Sequence, residues 1–117
     1  MELVIDTTQS SKIILWLLKQ GQIAGRRTSQ TFRISENLLQ EIEKLLEKQK
    51  IALKHLKKIF VKAGPGGFSS VRTGVATANA LAYALDIPVA EWPSGKIKKI
   101  VLPKYDKAPN ITKPKRK

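Results

Sequence analysis

Hydrophobic positions change their period along this chain, and the changes mark its elements. Residues 3–5 form a short β-leaning run that stops at the polar cluster Asp6-Thr7-Thr8-Gln9-Ser10-Ser11. Residues 12–18 (KIILWLL) are too continuously apolar for a one-sided strand and predict a buried, central one. Lys19-Gln20-Gly21-Gln22 then turns the chain into a more polar, edge-like strand over 23–32. Three strands joined by short turns make an antiparallel meander.

The period then becomes helical. Leu38, Leu39, Ile42, Leu45, Leu46 and Gln49 share one helix face, while Glu41, Glu43, Lys44, Glu47 and Lys48 take the other. This predicts a helix over 35–50, with Ser35 as N-cap and Glu36 suited to the positive end of the helix dipole. Leu53 and Leu56 add a short turn under a fourth strand at 59–62. The glycine-rich loop Ala63-Gly64-Pro65-Gly66-Gly67-Phe68 follows, then a second helix over 69–85, a fifth strand at 88–91 and a break at Pro93-Ser94-Gly95. The order predicts an α/β domain with a mixed five-stranded sheet and two main helices.

The second helix is unusual in composition. Val71, Val75, Ala78, Ala82 and Leu85 form an apolar seam. Gly74 and Ala78, then Ala76, Ala80 and Ala84, put small residues at four-residue spacing on neighbouring faces. Small side chains let a second backbone come close, so this helix is expected to be covered on more than one side. One side is the sheet. The other is the 35–50 helix or a helix of another chain.

Length and composition narrow the class. At 117 residues and 42% hydrophobic content, the chain has material for one core and too little for two full domains. The longest apolar run falls far short of a bilayer span, and Glu2 stands where a secretory leader carries basic residues, so the expected location is the cytoplasm with no membrane association. The chain has no cysteine, which excludes disulfides, thiolate metal sites and thiol catalysis. Charge is uneven: of 22 Lys and Arg against 9 Asp and Glu, residues 96–117 hold nine basic groups and only Asp106. A division into a domain at 1–95 and a basic tail at 96–117 is expected. Lys113, Lys115, Arg116 and Lys117 at its end are candidate RNA contacts through counterion release, or else simply keep the chain soluble. Tyr105 alone among the aromatics lies in that tail, which argues poorly for base stacking there.

Catalytic chemistry is not proposed by these residues. The loop at 63–68 precedes a helix, but the helix begins Ser69-Ser70-Val71-Arg72 without the Gly-Lys-Ser/Thr of a phosphate-binding loop, and Ser69 stands where a dinucleotide fingerprint needs glycine. Asp6, Thr7 and Thr8 suit either a magnesium or phosphate contact or an Asx-type turn that satisfies its own backbone; the turn is favoured. Arg72 suits a phosphate or a surface ion pair. His55, among Lys54, Lys57 and Lys58, reads as a solvated residue. No metal site is expected.

Four segments appear together in order: Val4-Ile5-Asp6-Thr7-Thr8, Ser35-Glu36-Asn37-Leu38-Leu39, Gly64-Pro65-Gly66-Gly67-Phe68-Ser69-Ser70-Val71-Arg72-Thr73-Gly74, and 78–89 (ANALAYALDIPV). This resembles the TsaB (YeaZ) family, relatives of TsaD with the actin-like ATPase (ASKHA, RNase H-like) fold, over about residues 2–94. Ile34 stands where that family usually has a helix-start His, and Gly67, Ser69, Ser70, Val71 and Thr73 replace its usual Ser, Thr, Gly, Leu and Ile. The family also carries a second domain of like architecture, for which this chain has no room, and residues 97–105 look similar to its C-terminal end.

The resemblance implies a non-catalytic partner of a TsaD-like subunit in making threonylcarbamoyladenosine on tRNA, with a TsaE-like ATPase as a further partner and a homodimer in isolation. It implies that the two helices pair with the same helices of the partner. The interface candidates are Leu38, Ile42, Leu45, Val71, Gly74, Val75 and Ala78, and a large residue at Gly74 or Ala78 is expected to weaken assembly while sparing the fold. No cofactor is expected on the chain alone. ATP or ADP with magnesium is expected only at an interface shared with a partner, touching Asp6, Thr7, Thr8 and Arg72. The wider family's old description as glycoproteases would need a metal or nucleophile that these residues do not offer. A basic RNA-binding module that keeps the fold is the competing reading.

Overall fold

The computed structural model describes residues 1–95, 97–98 and 101–102, with the side chain of Phe68 left aside. Strands β1 (Glu2–Asp6), β2 (Lys12–Lys19) and β3 (Gln22–Gln30) form the expected antiparallel meander. Helix α1 (Ile34–Lys48) then leads through a single 3-10 turn, Leu53–His55, to β4 (Lys58–Val61). Helix α2 (Phe68–Leu85) connects β4 to β5 (Val89–Glu91). β4 runs parallel to β1 and β5 parallel to β4, so both helices are crossover connections within the order β3-β2-β1-β4-β5. A two-residue strand, β6 (Ile97–Lys98), adds an antiparallel edge on β5.

Both helices lie on one face of this sheet. Leu3 and Ile5 of β1, Leu15 and Leu17 of β2, and Ile59 and Val61 of β4 point to that face by strict alternation. They meet Ile34, Leu38, Ile42 and Leu45 of α1 and Val71, Val75, Ala78 and Ala82 of α2. Ile13, Leu15 and Leu17 of β2 are buried and its even positions from Lys12 to Trp16 are half-buried, which makes it more one-sided than its sequence implied. The even positions meet a second, smaller cluster on the opposite face: Val4, Leu18, Phe60 and Ala90, packed by Trp16 and Trp92.

Three boundaries differ from expectation for identifiable reasons. α1 begins at Ile34, with Arg33 before it, and Ser35 makes no cap bond. Thr31 Oγ1 accepts the Arg33 amide and the Asn37 side-chain amide, both at 2.9 Å, so the chain entering the helix is already fixed one turn earlier. Glu41, placed on the solvent face by helical spacing, is instead buried at the flank of α1, where it accepts from Arg27 of β3 with Lys44 at 3.7 Å. The folded unit also passes the expected boundary at 95/96. The side-chain amide of Asn79 on α2 pairs with both the N–H and the C=O of Val101, each at 2.9 Å, and Val101 is buried. The candidate RNA contacts Lys113, Lys115, Arg116 and Lys117, and Tyr105, lie outside the described residues.

Each helix stops without glycine. Lys50 and Asp86 take left-handed conformations, and the next amide in each case returns to the last turn (Ile51 to the Leu46 carbonyl, Ile87 to the Ala82 carbonyl, both 3.0 Å). Ile51 and Ile87 then pack against the core, which completes the motif and aims the chain into the following element.

Ile42, fully buried between α1 and the sheet, measures how much the helical layer contributes. An Ile42→Ala substitution is expected to lower the unfolding free energy by about 2–5 kcal/mol in urea titration, with an unchanged slope against denaturant.

Candidate functional site

The turn after β1 is held between the glycine loop and α2. Asp6 Oδ1 accepts the Thr8 amide at 2.9 Å and the Thr8 hydroxyl at 2.6 Å, which closes an Asx turn. The Thr8 carbonyl in turn accepts the Gly67 amide at 3.1 Å. A Cβ on Gly66 would stand 2.5 Å from that same carbonyl oxygen, so glycine is required there for the loop to approach. Thr7, 1% exposed, donates its hydroxyl to the Ser70 carbonyl of α2 at 2.6 Å. One turn along α2, a Cβ on Gly74 would collide with that hydroxyl. The loop that resembles an anion cradle is thus occupied by the protein's own backbone.

Asp6, Thr7 and Thr8 come together, and the turn favoured by their chemistry is what they form. Arg72 does not join them: it is exposed on α2 beside Ser69, Thr73 and Ala76. Nearby, the first turns of α1 and α2 and Ser10 enclose a hydroxyl-lined hollow of about 240 Å³, with Ser35, Ser69, Ser70 and Thr73 among its walls. Sequence reading missed its membership because Ser10, Ser35 and Ser69 belong to three distant segments. His55 is exposed and its Nδ1 accepts the Ala52 amide at 3.0 Å, in keeping with a local structural role. Among the described residues no group of three or more His, Asp or Glu is gathered as a metal site would need.

The seven interface candidates are corrected by the geometry. Leu38, Ile42, Leu45, Val71, Gly74, Val75 and Ala78 are all buried within the chain's own core. The physical reason is that Gly74 and Ala78 lie on the side of α2 that must approach the β1 turn and β4, so their small size serves that contact. The other small-residue stripe, Ala76, Ala80 and Ala84, is exposed, and with it Arg72 and Tyr83. α1 lies beside α2 and contributes Leu39, 49% exposed, while Tyr83 is 90% exposed. The outward face of the two-helix layer is therefore small-residue and apolar along α2, with the charged positions of α1 at its margin. The signal for it was the second Ala-x-x-x-Ala stripe, which spacing alone did not rank above the first.

An antiparallel meander followed by two parallel strands, with crossover helices on one face, is the half-unit of the actin-like ATPase architecture. Solved structures agree. A structure of YeaZ from Pseudomonas aeruginosa superposes with a TM-score of 0.70 at 28% identity, covering 77% of this chain and 43% of that one. A second structure, described as an uncharacterised protein with similarity to peptidase YeaZ from Pseudomonas aeruginosa, gives the same score and identity and is covered to 41%. The family model for TsaD, tRNA N6-adenosine threonylcarbamoyltransferase, matches residues 26–94. The TsaB protein of tRNA threonylcarbamoyladenosine biosynthesis from Bacillus subtilis (strain 168) is 35% identical over 88 residues. That stretch is 75% of this chain and 38% of the relative, so the chain spans about two fifths of the length of the curated protein it matches. The chain belongs to the TsaB (YeaZ) family within this broader TsaD-related group.

The fit between Thr7 and Gly74 gives a direct test of this packing. Gly74→Ala is expected to destabilise the fold by about 1–3 kcal/mol in urea unfolding, against the expectation that substitution there spares it. Thr7→Ala in the same chain relieves the collision, so the double variant is expected to lose less than the two single losses added together.

Proposed function

We propose that this chain is a non-catalytic docking subunit in the threonylcarbamoyladenosine modification of tRNA, and that it engages a TsaD-like subunit through the outward face of α1 and α2. The observation that carries this reading is the exposed stripe of Ala76, Ala80 and Tyr83 with Leu39 beside it. Two helices lying side by side, one with small outward residues, present a groove into which a partner's helix pair fits closely. Burying an exposed aromatic of this size at the centre of such a contact supplies much of an interface's free energy. The membership of the family, and the match to a TsaD model in particular, support a TsaD-like partner over an unrelated one. In isolation, the same face serves to pair two copies of this chain. A TsaE-like ATPase is the further partner in this reading.

The non-catalytic assignment draws support from the β1 turn. The carboxylate and hydroxyls that face nucleotide in the resemblance are engaged with their own backbone and with each other. ATP or ADP with magnesium is accordingly proposed only at an interface completed by the partner, where Arg72 stands exposed. The cytoplasm follows as the compartment of the tRNA substrate; among the described residues, no helix is long and apolar enough to cross a membrane. RNA contact by Lys113, Lys115, Arg116 and Lys117 remains a proposal carried by charge alone.

Ala80→Arg places a long cation in the groove from an exposed position. Stability is expected to stay within about 0.5 kcal/mol of the parent, as for other exposed substitutions. Association with the TsaD-like protein of the same organism, followed by sedimentation velocity, is expected to weaken by about tenfold or more, as does self-association. Assembly unchanged in both cases overturns the docking assignment.

A further inference from the structure

The sheet face away from the helices has a different chemistry, and the docking reading does not use it. Register places Arg26, Trp16, Val4, Phe60 and Ala90 in one row across β3, β2, β1, β4 and β5. Trp92, the residue after β5, stands over this row with its ring edge-on to both Trp16 (centroids 5.7 Å apart) and Phe60 (5.3 Å). The chain's two tryptophans therefore sit together, half-buried, on a surface where no helix lies among the described residues.

Cations surround these rings. Lys58 sits over the Phe60 ring, 5.1 Å from its centroid. Lys62 follows Phe60 by two positions, Lys12 shares the alternation of Trp16, and Arg26 lies directly opposite Trp16. None of the four forms an ion pair among the described residues, where the ion pairs involve Arg27, Arg33 and Lys44. The acids of this face are Glu2, opposite Lys58, and Asp6, whose Oδ1 is held by Thr8.

We infer that this sheet face, where Trp16 and Trp92 stand half-exposed over the buried Phe60 with Lys12, Arg26, Lys58 and Lys62 on the same face, binds a single-stranded segment of nucleic acid. Charge decides among occupants. Residues 103–117 carry six Lys or Arg and one Asp, and the whole chain is formally +13, so neither that segment nor a second copy complements a cationic surface. A polyanion does. Aromatic rings on a sheet add what a merely acidic partner does not use, since unpaired bases stack on such rings while phosphates meet the flanking cations. The surface is separate from the docking helices, which lie on the opposite side of the sheet, so the two readings fail independently.

Both tryptophans report on the site, which makes the test direct. A short oligouridylate titrated into the full chain is expected to quench tryptophan fluorescence in parallel with its binding. Log affinity should fall with log salt by about 0.7 for each phosphate neutralised. Arg26→Glu and Lys62→Glu, both at solvent-accessible positions, are expected to weaken binding by about tenfold each and make the salt dependence shallower. Trp16→Leu is expected to lose a comparable factor at unchanged salt slope, and its folding is verified by circular dichroism. Association with the TsaD-like protein should be unaffected by Arg26→Glu. Binding without quenching, affinity indifferent to both charge reversals, or equal competition by polyglutamate would each overturn the proposal and place any nucleic-acid contact elsewhere, including the basic end of the chain.

Discussion

The contact on which this fold turns is the one between Thr7 and the first turns of α2. A helix that follows a parallel strand can rotate about its axis while still covering the sheet, and its apolar seam limits that rotation only to a sector. Here the buried hydroxyl of Thr7 donates to the Ser70 carbonyl, and the missing side chain of Gly74 leaves that hydroxyl its room. Losing the bond inside the core leaves a polar group without water or partner, a cost of about 1–3 kcal/mol. The rotation of α2 is thereby fixed. With Gly74 and Ala78 turned to the sheet, geometry leaves Ala76, Ala80 and Tyr83 to solvent. The face proposed for docking is a consequence of a packing constraint made on the other side of the helix.

How much of this could be read from residue order alone varies with the kind of signal. Strand and helix limits were legible within one or two positions, because hydrophobic period and the turn residues around it report local geometry. The apolar seam of α2 was also legible. Which of two small-residue stripes faced inward was not, since both have the same spacing and the choice depends on Thr7, more than sixty residues away. Glu41 was misplaced for the same reason: helical spacing puts it among solvated acids, yet Arg27 on a strand distant in sequence draws it to a buried flank. The Asx turn at Asp6 was legible because both of its bonds lie within three residues. The aromatic cluster was invisible in sequence. Trp16, Phe60 and Trp92 become neighbours only through the parallel pairing of β1 with β4 and β4 with β5.

The sheet thus separates two chemistries that composition had merged. One side is closed by helices whose outward surface is small and apolar, suited to another helical pair. The other side keeps its two tryptophans half-buried among cations that have no ion-pair partners among the described residues. The formal excess of positive charge, concentrated toward residues 96–117, had drawn attention to the chain's end. Yet Lys12, Arg26 and Lys58 belong to the strands of the sheet and Lys62 directly follows β4, so their backbone positions are set relative to the aromatic rings. A cation held in place relative to a stacking surface discriminates among anions, whereas one on a solvated segment responds mainly to charge density.

The link between Asn79 and Val101 bears on how these two sides relate. A side-chain amide that satisfies both the donor and the acceptor of one residue holds that residue's backbone as a neighbouring strand would. Asn79 belongs to α2, so Val101 is tied to the helical side of the sheet. That side is opposite the one that carries Trp16 and Trp92. Leu102, next along, is exposed. Among the described residues, neither a helix nor Val101 covers the aromatic face. α2 thus anchors Val101 through Asn79 and, at Ala80 and Tyr83, presents the surface proposed for docking, so one helix serves both contacts.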